Sequence, residues 1–229
     1  MIAINQDERC EVKFASYQVN YPIIINWLKS NNYNFKKEYR NRIVNNLYFD
    51  TNNLDAYKDN IYGLSSRIKT RFRWFGNFNE NNFGNLELKF KRNIYGWKER
   101  YKISKLRLEN NKDLNVIKDT ISKHLPFRTK IFFEKNNIPQ IVNQYEREYF
   151  ISSDKKYRIT IDRNMKVFNQ RNSDKINLKK EVMIQNHIIL EVKFGRSSYN
   201  KIEDLLHNIP FRASRNSKYI NSIKAVMGI

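Results

Sequence analysis

The chain is poor in the residues that build disulfide frameworks, flexible linkers and cysteine-based metal sites. Its 229 residues include 1 cysteine, 6 glycines, 4 prolines and 3 histidines. The single Cys10 excludes an internal disulfide framework and a cysteine-based zinc site, and it is consistent with a reducing compartment. With 40% hydrophobic and 14% aromatic residues, the scarcity of glycine and proline excludes fibrous and disordered classes.

Long apolar runs and the familiar nucleotide-binding and hydrolase motifs are also missing. The longest apolar stretch, near 21–28, is far shorter than the ~20 residues that span a bilayer. Residues 1–9 are polar and lack the pattern of a secretory signal. No GxxxxGK, GxGxxG, GxSxG or HExxH motif occurs. We therefore expect a soluble, cytoplasmic protein without membrane insertion, folded as a single domain over residues 1–229.

Positive charge is what the chain has in excess. Its 43 lysines and arginines outnumber 23 aspartates and glutamates, which gives a formal net charge of +20 at pH 7. Charge of this size does not choose a fold. It predicts anionic partners, which include polyphosphate-bearing ligands, nucleic acid and acidic membrane surfaces.

Alternating apolar and polar residues predict eight main β-strands with helical patterns between them. The strands are predicted near 8–15, 43–50, 65–75, 84–92, 96–104, 142–151, 156–163 and 187–195, with a weaker one at 165–169. Helices are predicted at Pro22–Ser30, after a cap at Asn52 or Asn53, and at Asp113–His124, Lys201–His207 and Asn216–Met227. The polar region 170–186 is unpatterned and predicted to be a loop.

The predicted strands have one charged face and one apolar face, because successive side chains of a strand point to opposite sides. Three near-identical segments place a glutamate and a lysine on one face and a phenylalanine on the other: Cys10–Phe14, Leu86–Phe90 and Leu190–Phe194. Most other charged faces are basic, as in the segments 67–73 and 98–102. We expect an α+β fold in which helices cover the apolar faces.

The charged faces have two possible environments. They form an open, solvated sheet surface, or they line a closed eight-stranded antiparallel β-barrel that holds one small ligand. The concentration of cations on neighbouring strands favours the barrel, since opposed like charges are destabilising unless an anion lies between them. Arginine and lysine suit phosphate, and isolated glutamates suit a Mg²⁺ ion whose coordination is completed by phosphate oxygens.

Nine short motifs occur in the order of a known family. They are Arg9–Lys13, Leu47–Thr51, Lys69–Trp74, Leu86–Lys89, Lys98–Tyr101, Tyr145–Arg147, Arg158–Asp162, Leu190–Lys193 and Ser217–Tyr219. Through them the chain resembles the VTC domain, the polyphosphate polymerase domain of the vacuolar transporter chaperone complex. That domain belongs to the CYTH-like superfamily of triphosphate tunnel metalloenzymes.

The resemblance implies a closed eight-stranded triphosphate tunnel with helices outside. It also implies an ATP-binding phosphotransferase that adds γ-phosphoryl groups to a polyphosphate chain with Mn²⁺ or Mg²⁺. The basic residues implied for substrate binding or catalysis are Lys13, Arg71, Arg73, Lys89, Lys98, Arg100, Arg147, Arg158, Lys193 and Lys218. Glu191 is implied as the main metal ligand and a catalytic residue, with Glu11 and Glu87 as weaker metal candidates.

One position departs from the hydrolytic relatives of this superfamily, which open with Glu-X-Glu-X-Lys. Arg9 stands at the first glutamate position, and Glu8 is one residue off and would face the other way. The departure favours a polymerase over a two-metal hydrolase. The alternatives are a triphosphatase for tripolyphosphate or nucleoside triphosphate, and a non-catalytic binder of polyphosphate or RNA, so nucleic acid is a second choice of partner.

Overall fold

A computed structural model describes residues 9–78, 80, 83–93, 95–185, 187–195, 198 and 202–229. Within it the chain divides into two compact units, each assembled from three segments. Unit 1 comprises Met1–Arg42, Glu146–Met165 and Gln185–Asn216, and unit 2 comprises Ile43–Tyr145, Lys166–Ile184 and Ser217–Ile229. That the whole chain folds as one domain stays a prediction.

The described residues form strands and helices over much of their length. The strands are β1 Arg9–Tyr17, β2 Lys36–Asp50, β3 Ser66–Phe75, β4 Gly84–Arg92, β5 Tyr95–Ile103, β6 Ile138–Ile151, β7 Tyr157–Asn169, β8 Glu181–Val182 and β9 His187–Gly195. The helices are α1 Tyr21–Ser30, α2 Asp55–Ile61, α3 Leu114–Lys123, α4 Phe127–Lys135, α5 Glu203–His207 and α6 Lys218–Met227, and a 3₁₀ turn spans Gln18–Asn20. No helix in the described ranges is long and apolar enough to cross a membrane.

All eight main strands predicted from the sequence are present; β4 and β9 have the predicted limits and the other six differ in theirs. Strand β2 begins at Lys36, earlier than predicted. The sequence pattern missed its first residues because residues 36–42 carry no apolar alternation and are mostly exposed. Strand β7 joins the predicted strands at 156–163 and 165–169. The region 170–186 is not wholly a loop, because β8 pairs with β7 there. Helix α4 was missed because its apolar residues Phe127 and Phe133 do not share a face: the first is exposed and the second buried. The predicted positions Glu8 and Lys201 lie outside the described residues.

The strands follow the order β1-β9-β7-β6-β2-β3-β4-β5, with β8 added beside β7. Antiparallel ladders join β1 to β9, β2 to β3, β3 to β4, β4 to β5, and β7 to both β8 and β9. The prediction of a closed eight-stranded barrel was therefore wrong: among the described residues β1 and β5 end the path and no ladder joins them. Side-chain alternation has the same period in open and closed sheets, so it does not encode closure.

The core of unit 1 lies on the apolar faces of β1, β7 and β9. Phe14 and Phe194, from two of the repeated segments, are 3% and 2% exposed. They pack in one cluster with Ile24, Trp27 and other buried residues of α1. Helix α1 starts at Tyr21, one residue before the predicted Pro22, and the proline lies in its first turn, where the missing N–H is not needed.

The core of unit 2 packs α3 and α4 against β2, β3 and β4. Phe72 and Trp74 are 0% and 2% exposed and belong to this cluster. Gly84, which opens β4, must be glycine, because an added Cβ would lie 2.4 Å from the Phe72 ring and 2.5 Å from the Arg73 carbonyl oxygen. Glycine at this position therefore allows β4 to approach β3 closely at this end of the ladder.

Helix α2 begins at a cap that the sequence pattern misplaced. The N-cap position is Leu54, in the left-handed region with φ of 58°, rather than Asn52 or Asn53. Leu54 has no capping side chain, and the carboxylate of Asp50 instead accepts the N–H groups of Ala56 and Tyr57 at 3.0 and 3.1 Å. The end of β2 therefore caps the following helix.

Candidate phosphate-binding site

One buried carboxylate of unit 2, that of Glu87, faces four cations. Glu87 is 3% exposed. Its Oε2 accepts hydrogen bonds from Arg71 Nε and Nη2 at 2.9 and 2.6 Å and lies 3.7 Å from Arg73 Nη1. Its Oε1 lies 3.3 Å from Arg100 Nε and 3.7 Å from Lys98 Nζ. These five residues are the Glu87 cluster.

Strand register builds the Glu87 cluster. Arg71 of β3 is opposite Glu87 of β4, which is opposite Arg100 of β5, so the three side chains form one row on one face. The neighbouring row on that face consists entirely of lysines: Lys69, Lys89 and Lys98. Directly opposed like charges destabilise a sheet. A row of three ammonium groups without an acidic member is an arrangement suited to an anion.

Arg73 of the Glu87 cluster and one further cation of unit 2, Lys218, lie among polar and aromatic side chains. Arg73 donates from Nε to Asn46 Oδ1 at 2.8 Å and from Nη2 to the Tyr145 hydroxyl at 3.3 Å. Lys218, at the start of α6, is 8% exposed, and its Nζ lies 5.0 Å from the centroid of the same Tyr145 ring. Such a cation–π contact stabilises a desolvated ammonium group. The sequence predicted Arg73 and Lys218, but not Asn46 and Tyr145 as their partners.

Burial and neighbouring charges shift the pKa values of Glu87 and Lys98 in the Glu87 cluster. Burial alone would raise the pKa of Glu87, but Arg71, Arg73 and Lys98 lower that pKa well below its usual range. Burial also lowers the pKa of Lys98 to about 8; Glu87 opposes this shift, while Arg100 and the other guanidinium groups add to it. Lys98 therefore changes charge close to neutral pH.

Tripolyphosphate binding is expected to weaken above pH 8 because neutral Lys98 no longer attracts phosphate. With a pKa of about 8, the binding constant should fall by up to about tenfold at pH 9. Lys98→Arg keeps its charge throughout this range and should show a flatter profile. Titration calorimetry of both proteins between pH 7 and 9 measures the ratio of their binding constants at each pH. The ionisation of tripolyphosphate affects both constants equally and cancels in this ratio. Identical profiles would contradict the role of Lys98.

Unit 1 contains a second buried carboxylate among cations, that of Glu191. Glu191 is 5% exposed. Its Oε2 lies 2.9 Å from Lys193 Nζ and 3.4 Å from Arg147 Nη2, and accepts from the Thr160 hydroxyl at 3.4 Å. Its Oε1 lies 3.6 Å from Lys13 Nζ. Lys13, Glu191 and Thr160 are opposite one another on β1, β9 and β7, which explains their convergence.

Arg147 is held by a second carboxylate that the sequence-based site did not include. Asp162 is 2% exposed and accepts from Arg147 Nε and Nη2 at 2.5 and 2.6 Å. This two-pronged contact fixes the guanidinium plane, as in other bidentate arginine–carboxylate pairs. The sequence signals for Asp162 were its place at the end of the motif Arg158–Asp162 and its position on the same strand face as Arg158 and Thr160.

The structure brings Glu11 to this region and directs Arg158 elsewhere. Glu11 Oε1 lies 3.0 Å from Lys13 Nζ, which also donates to the Asn216 carbonyl oxygen at 3.2 Å. Arg158 is opposite Lys193 on the neighbouring strand, but its Nη2 contacts Glu38 at 3.0 Å, and 45% of its side chain is exposed. A phosphate-binding role for Arg158 stays a prediction.

The two clusters differ in charge balance. In unit 1 three cations stand with three carboxylates: Lys13, Arg147, Lys193, Glu11, Asp162 and Glu191. In unit 2 four cations surround Glu87 alone. The excess of positive charge within these contacts therefore belongs to unit 2, and the carboxylates suited to a cation belong to unit 1.

The carboxylates do not form a metal cage made by protein alone. Across the described ranges, no group of three or more His, Cys, Asp or Glu residues is placed to hold a metal ion. Mg²⁺ is often held by one or two carboxylates with substrate phosphates and water completing its shell. Glu191 and Glu11, which both lie within 4 Å of Lys13 Nζ, fit that substrate-dependent mode. Both oxygens of Glu87 already face cations.

The antiparallel sheet with its accompanying helices defines a protein of the α+β class, and the cation-rich rows on that sheet are suited to an anion. The model of the VTC domain matches residues 8–227, so the chain belongs to the VTC domain family. This family is associated with polyphosphate polymerase activity, metal dependence and the binding of nucleoside triphosphate and polyphosphate. Membership indicates an enzyme of the phosphate-transfer kind.

Solved structures resemble the chain in fold. A proposed adenylate cyclase from Vibrio parahaemolyticus has a TM-score of 0.51 and 12% identity over 93% of this chain and 95% of its own. The PH1819 protein from Pyrococcus horikoshii OT3 has a TM-score of 0.48 and 12% identity over 93% and 97%. The Mediator head module of Schizosaccharomyces pombe has a TM-score of 0.46 and 7% identity over 90% and 97%. The last two likenesses are too weak for an argument, and the first shows the fold alone. No curated protein matches this chain.

Proposed function

We propose that this chain is a metal-dependent polyphosphate polymerase that transfers the γ-phosphoryl group of ATP to a growing polyphosphate chain. The observation that carries the proposal is the Glu87 cluster, in which four cations surround one buried carboxylate beside a row of three lysines. Family membership supports phosphate transfer as the class of reaction.

Phosphoryl transfer suits such a site because catalysis depends mainly on positioning and charge stabilisation. Arg71 is held by Glu87 and by the Tyr48 hydroxyl, which accepts from Nη1 at 3.1 Å. Arg73 is held by its own polar partners. We assign binding of phosphate oxygens to these two guanidinium groups, since groups already in position lose little conformational freedom when the substrate arrives.

The remaining cations of unit 2 supply more adjustable charge. The side chains of Lys98 and Arg100 are 38% and 57% exposed on β5, so they can follow a phosphate chain. Lys89 lies in register with Lys98, and Lys218 approaches from α6. We assign phosphate binding to all four residues.

Glu87 acts in this proposal as the counterion of the cluster rather than as a metal ligand. Two like charges 4 Å apart repel by about 1 kcal/mol in water and about 4 kcal/mol at an effective dielectric near 20. A carboxylate in contact with Arg71, Arg73, Lys98 and Arg100 reduces that repulsion while no phosphate is bound. It also orients the Arg71 guanidinium.

In unit 1 we assign the metal to Glu191, with Glu11 as a secondary ligand, and phosphate binding to Lys13 and Lys193. A bound Mn²⁺ or Mg²⁺ would neutralise and orient phosphate oxygens. The contact between Lys193 Nζ and Glu191 Oε2 at 2.9 Å places a positive charge beside the buried carboxylate. Arg147, fixed by its bidentate partner, presents Nη2 on the same side of Glu191.

Product analysis tests the function directly. Purified protein incubated with ATP and Mn²⁺ is expected to produce polyphosphate chains that lengthen with time on a gel, and chelation should stop the reaction. Release of orthophosphate alone would instead identify a triphosphatase. Salt-sensitive binding of tripolyphosphate or RNA without turnover would identify a non-catalytic binder. Either result contradicts polymerase activity.

A matched pair of arginine variants separates the site from general charge. Arg73→Gln is expected to lower turnover by about a hundredfold, as loss of a preorganised charge-stabilising donor does in other enzymes. Arg107→Gln removes the same charge from an exposed arginine of unit 2, whose Nε lies 3.1 Å from Glu109 Oε1. Equal losses in both variants would assign the effect to net charge and not to the site.

A further inference from the structure

A buried hydrogen bond joins the start of α6 to the end of β2. The Tyr219 hydroxyl donates to Asp50 Oδ2 at 2.5 Å, and the two residues are 2% and 1% exposed. The same carboxylate accepts the N–H groups of Thr51, Ala56 and Tyr57 at 2.7, 3.0 and 3.1 Å. One aspartate therefore connects β2, the first turn of α2 and the first turn of α6, all within unit 2.

The Tyr219 ring also reaches one of the phosphate-binding arginines. It stacks on Tyr48 with ring centroids 5.0 Å apart and planes 21° apart. The Tyr48 hydroxyl in turn accepts from Arg71 Nη1 at 3.1 Å. A displacement of Tyr219 would therefore be transmitted through Tyr48 to Arg71.

The two residues before Tyr219 contact two other cations of the same strand face, directly or through one partner. Ser217 Oγ accepts from Lys69 Nζ at 2.9 Å. Lys218 shares the ring of Tyr145 with Arg73, as described above. The cap Ser217 and the first two residues of α6 are thus each linked, directly or through one tyrosine, to an alternating cation of β3. These cations are Lys69, Arg71 and Arg73.

We propose that the Asp50–Tyr219 hydrogen bond is a positioning latch, which holds Ser217 and Lys218 in register with the phosphate-binding cations of β3. This inference rests on the proposed function. Neither latch residue touches phosphate; both act through the first turn of α6. The latch stays closed over a wide pH range, because burial and then Asp50 raise the pKa of the Tyr219 hydroxyl far above its ordinary value.

Helix α6 has other anchors, so loss of the latch should displace its first turn without detaching the helix. Ile220 and Ile223 are 6% and 0% exposed and pack in the same apolar cluster as Leu54 and Ile141. This distinction makes the latch testable apart from folding. A variant that removes only the hydroxyl group keeps the apolar packing and the ring stack.

The test compares Tyr219→Phe with Tyr101→Phe. Tyr101 is a matched control, since its hydroxyl contacts Thr129 Oγ1 at 2.9 Å within the same unit but far along the chain from α6. We expect tripolyphosphate affinity, measured by titration calorimetry, to fall about tenfold in Tyr219→Phe and to stay unchanged in Tyr101→Phe. Circular dichroism identifies a temperature at which the wild type and both variants are folded, and the affinities are compared at that temperature.

A double-mutant cycle separates positioning from general stabilisation. If Tyr219 acts through Lys218, Tyr219→Phe should cost much less than tenfold when Lys218→Met is already present. Fully additive losses would overturn the latch. Asp50→Asn, which retains an oxygen for the α2 N–H groups, is the second variant, and we expect it to weaken binding in the same direction.

The outcomes distinguish this inference from the function on which it rests. A wild-type protein that does not bind tripolyphosphate overturns the proposed function and the latch together. Wild-type binding with unchanged affinity in folded Tyr219→Phe and Asp50→Asn overturns the latch alone. Reduced affinity in the latch variants, non-additive with Lys218→Met, supports it.

Discussion

Replacing Glu191 with glutamine is expected to lower metal-dependent turnover by about a hundredfold or more while tripolyphosphate still binds. Glutamine preserves the size of the side chain and an oxygen for Thr160, but it lacks the negative charge that a hard divalent ion requires. Binding should persist because Lys13 and Lys193 lose their buried counterion and become more available to phosphate. Turnover across a Mn²⁺ titration, with calorimetric binding of tripolyphosphate, measures both effects.

Glu148→Gln is the matched control for this loss of a buried carboxylate. Glu148 is 2% exposed in unit 1, accepts from the Tyr21 hydroxyl at 2.7 Å and contacts Arg163 and Lys37 at 3.3 and 3.5 Å. Its replacement is expected to lower stability but to leave the metal response of the folded enzyme unchanged. Full turnover in Glu191→Gln with an unaltered Mn²⁺ response would refute the metal assignment.

Replacing Glu87 with glutamine is expected to lower the free energy of unfolding by about 3 kcal/mol, because it removes one partner of a buried ion-pair network. That corresponds to a melting temperature lower by roughly 6–12 °C for a chain of this size. Four cations would remain close together without their carboxylate. Differential scanning calorimetry at low and high salt measures the loss, which salt should reduce.

Tripolyphosphate should restore much of this stability. A ligand at ~100 times its dissociation constant adds about 2.7 kcal/mol to the folded state. The variant should gain more from saturating ligand than the wild type, because phosphate replaces the missing counterion. A melting temperature that does not change with ligand in either protein would mean that these cations form an ordinary solvated face.

The pH dependence gives a second measurement of the same role. Because the pKa of Glu87 is lowered in the folded protein, its stabilisation is present above the unfolded pKa, ~4.3, and is lost as pH falls towards the lower folded value. The unfolding curves of wild type and Glu87→Gln should therefore converge in acid. Glu109→Gln, which removes an exposed carboxylate from unit 2, should cost below ~1 kcal/mol at any pH.

Strand faces were the part of the site that local sequence could predict. Alternation placed Arg71 and Arg73 on one face of β3 and Phe72 and Trp74 on the other, and burial confirms that division. The repeated segments behaved less uniformly. Phe14 and Phe194 are buried in the core, whereas Phe90 is partly exposed and stacks on Trp97 at a centroid distance of 5.1 Å.

The alternation of side chains could not predict which partners the charged side chains contact. Arg147 contacts Asp162, and Arg158 contacts Glu38 rather than Glu191 or its neighbouring carboxylates. Each of these contacts depends on how one strand is aligned with another. A shift in register would leave the alternation of each strand intact and change every pair.

The sequence by itself determined the cationic character of the chain, the class of its secondary structure and the faces on which its basic residues stand. These follow from composition and from the two-residue period of a strand, which are local properties. Only the tertiary structure decided that Glu87 faces four cations, that Glu191 shares Arg147 with Asp162, and that the described strand path stays open. Register, helix docking and sheet closure are set by contacts between distant segments, and no local pattern contains them.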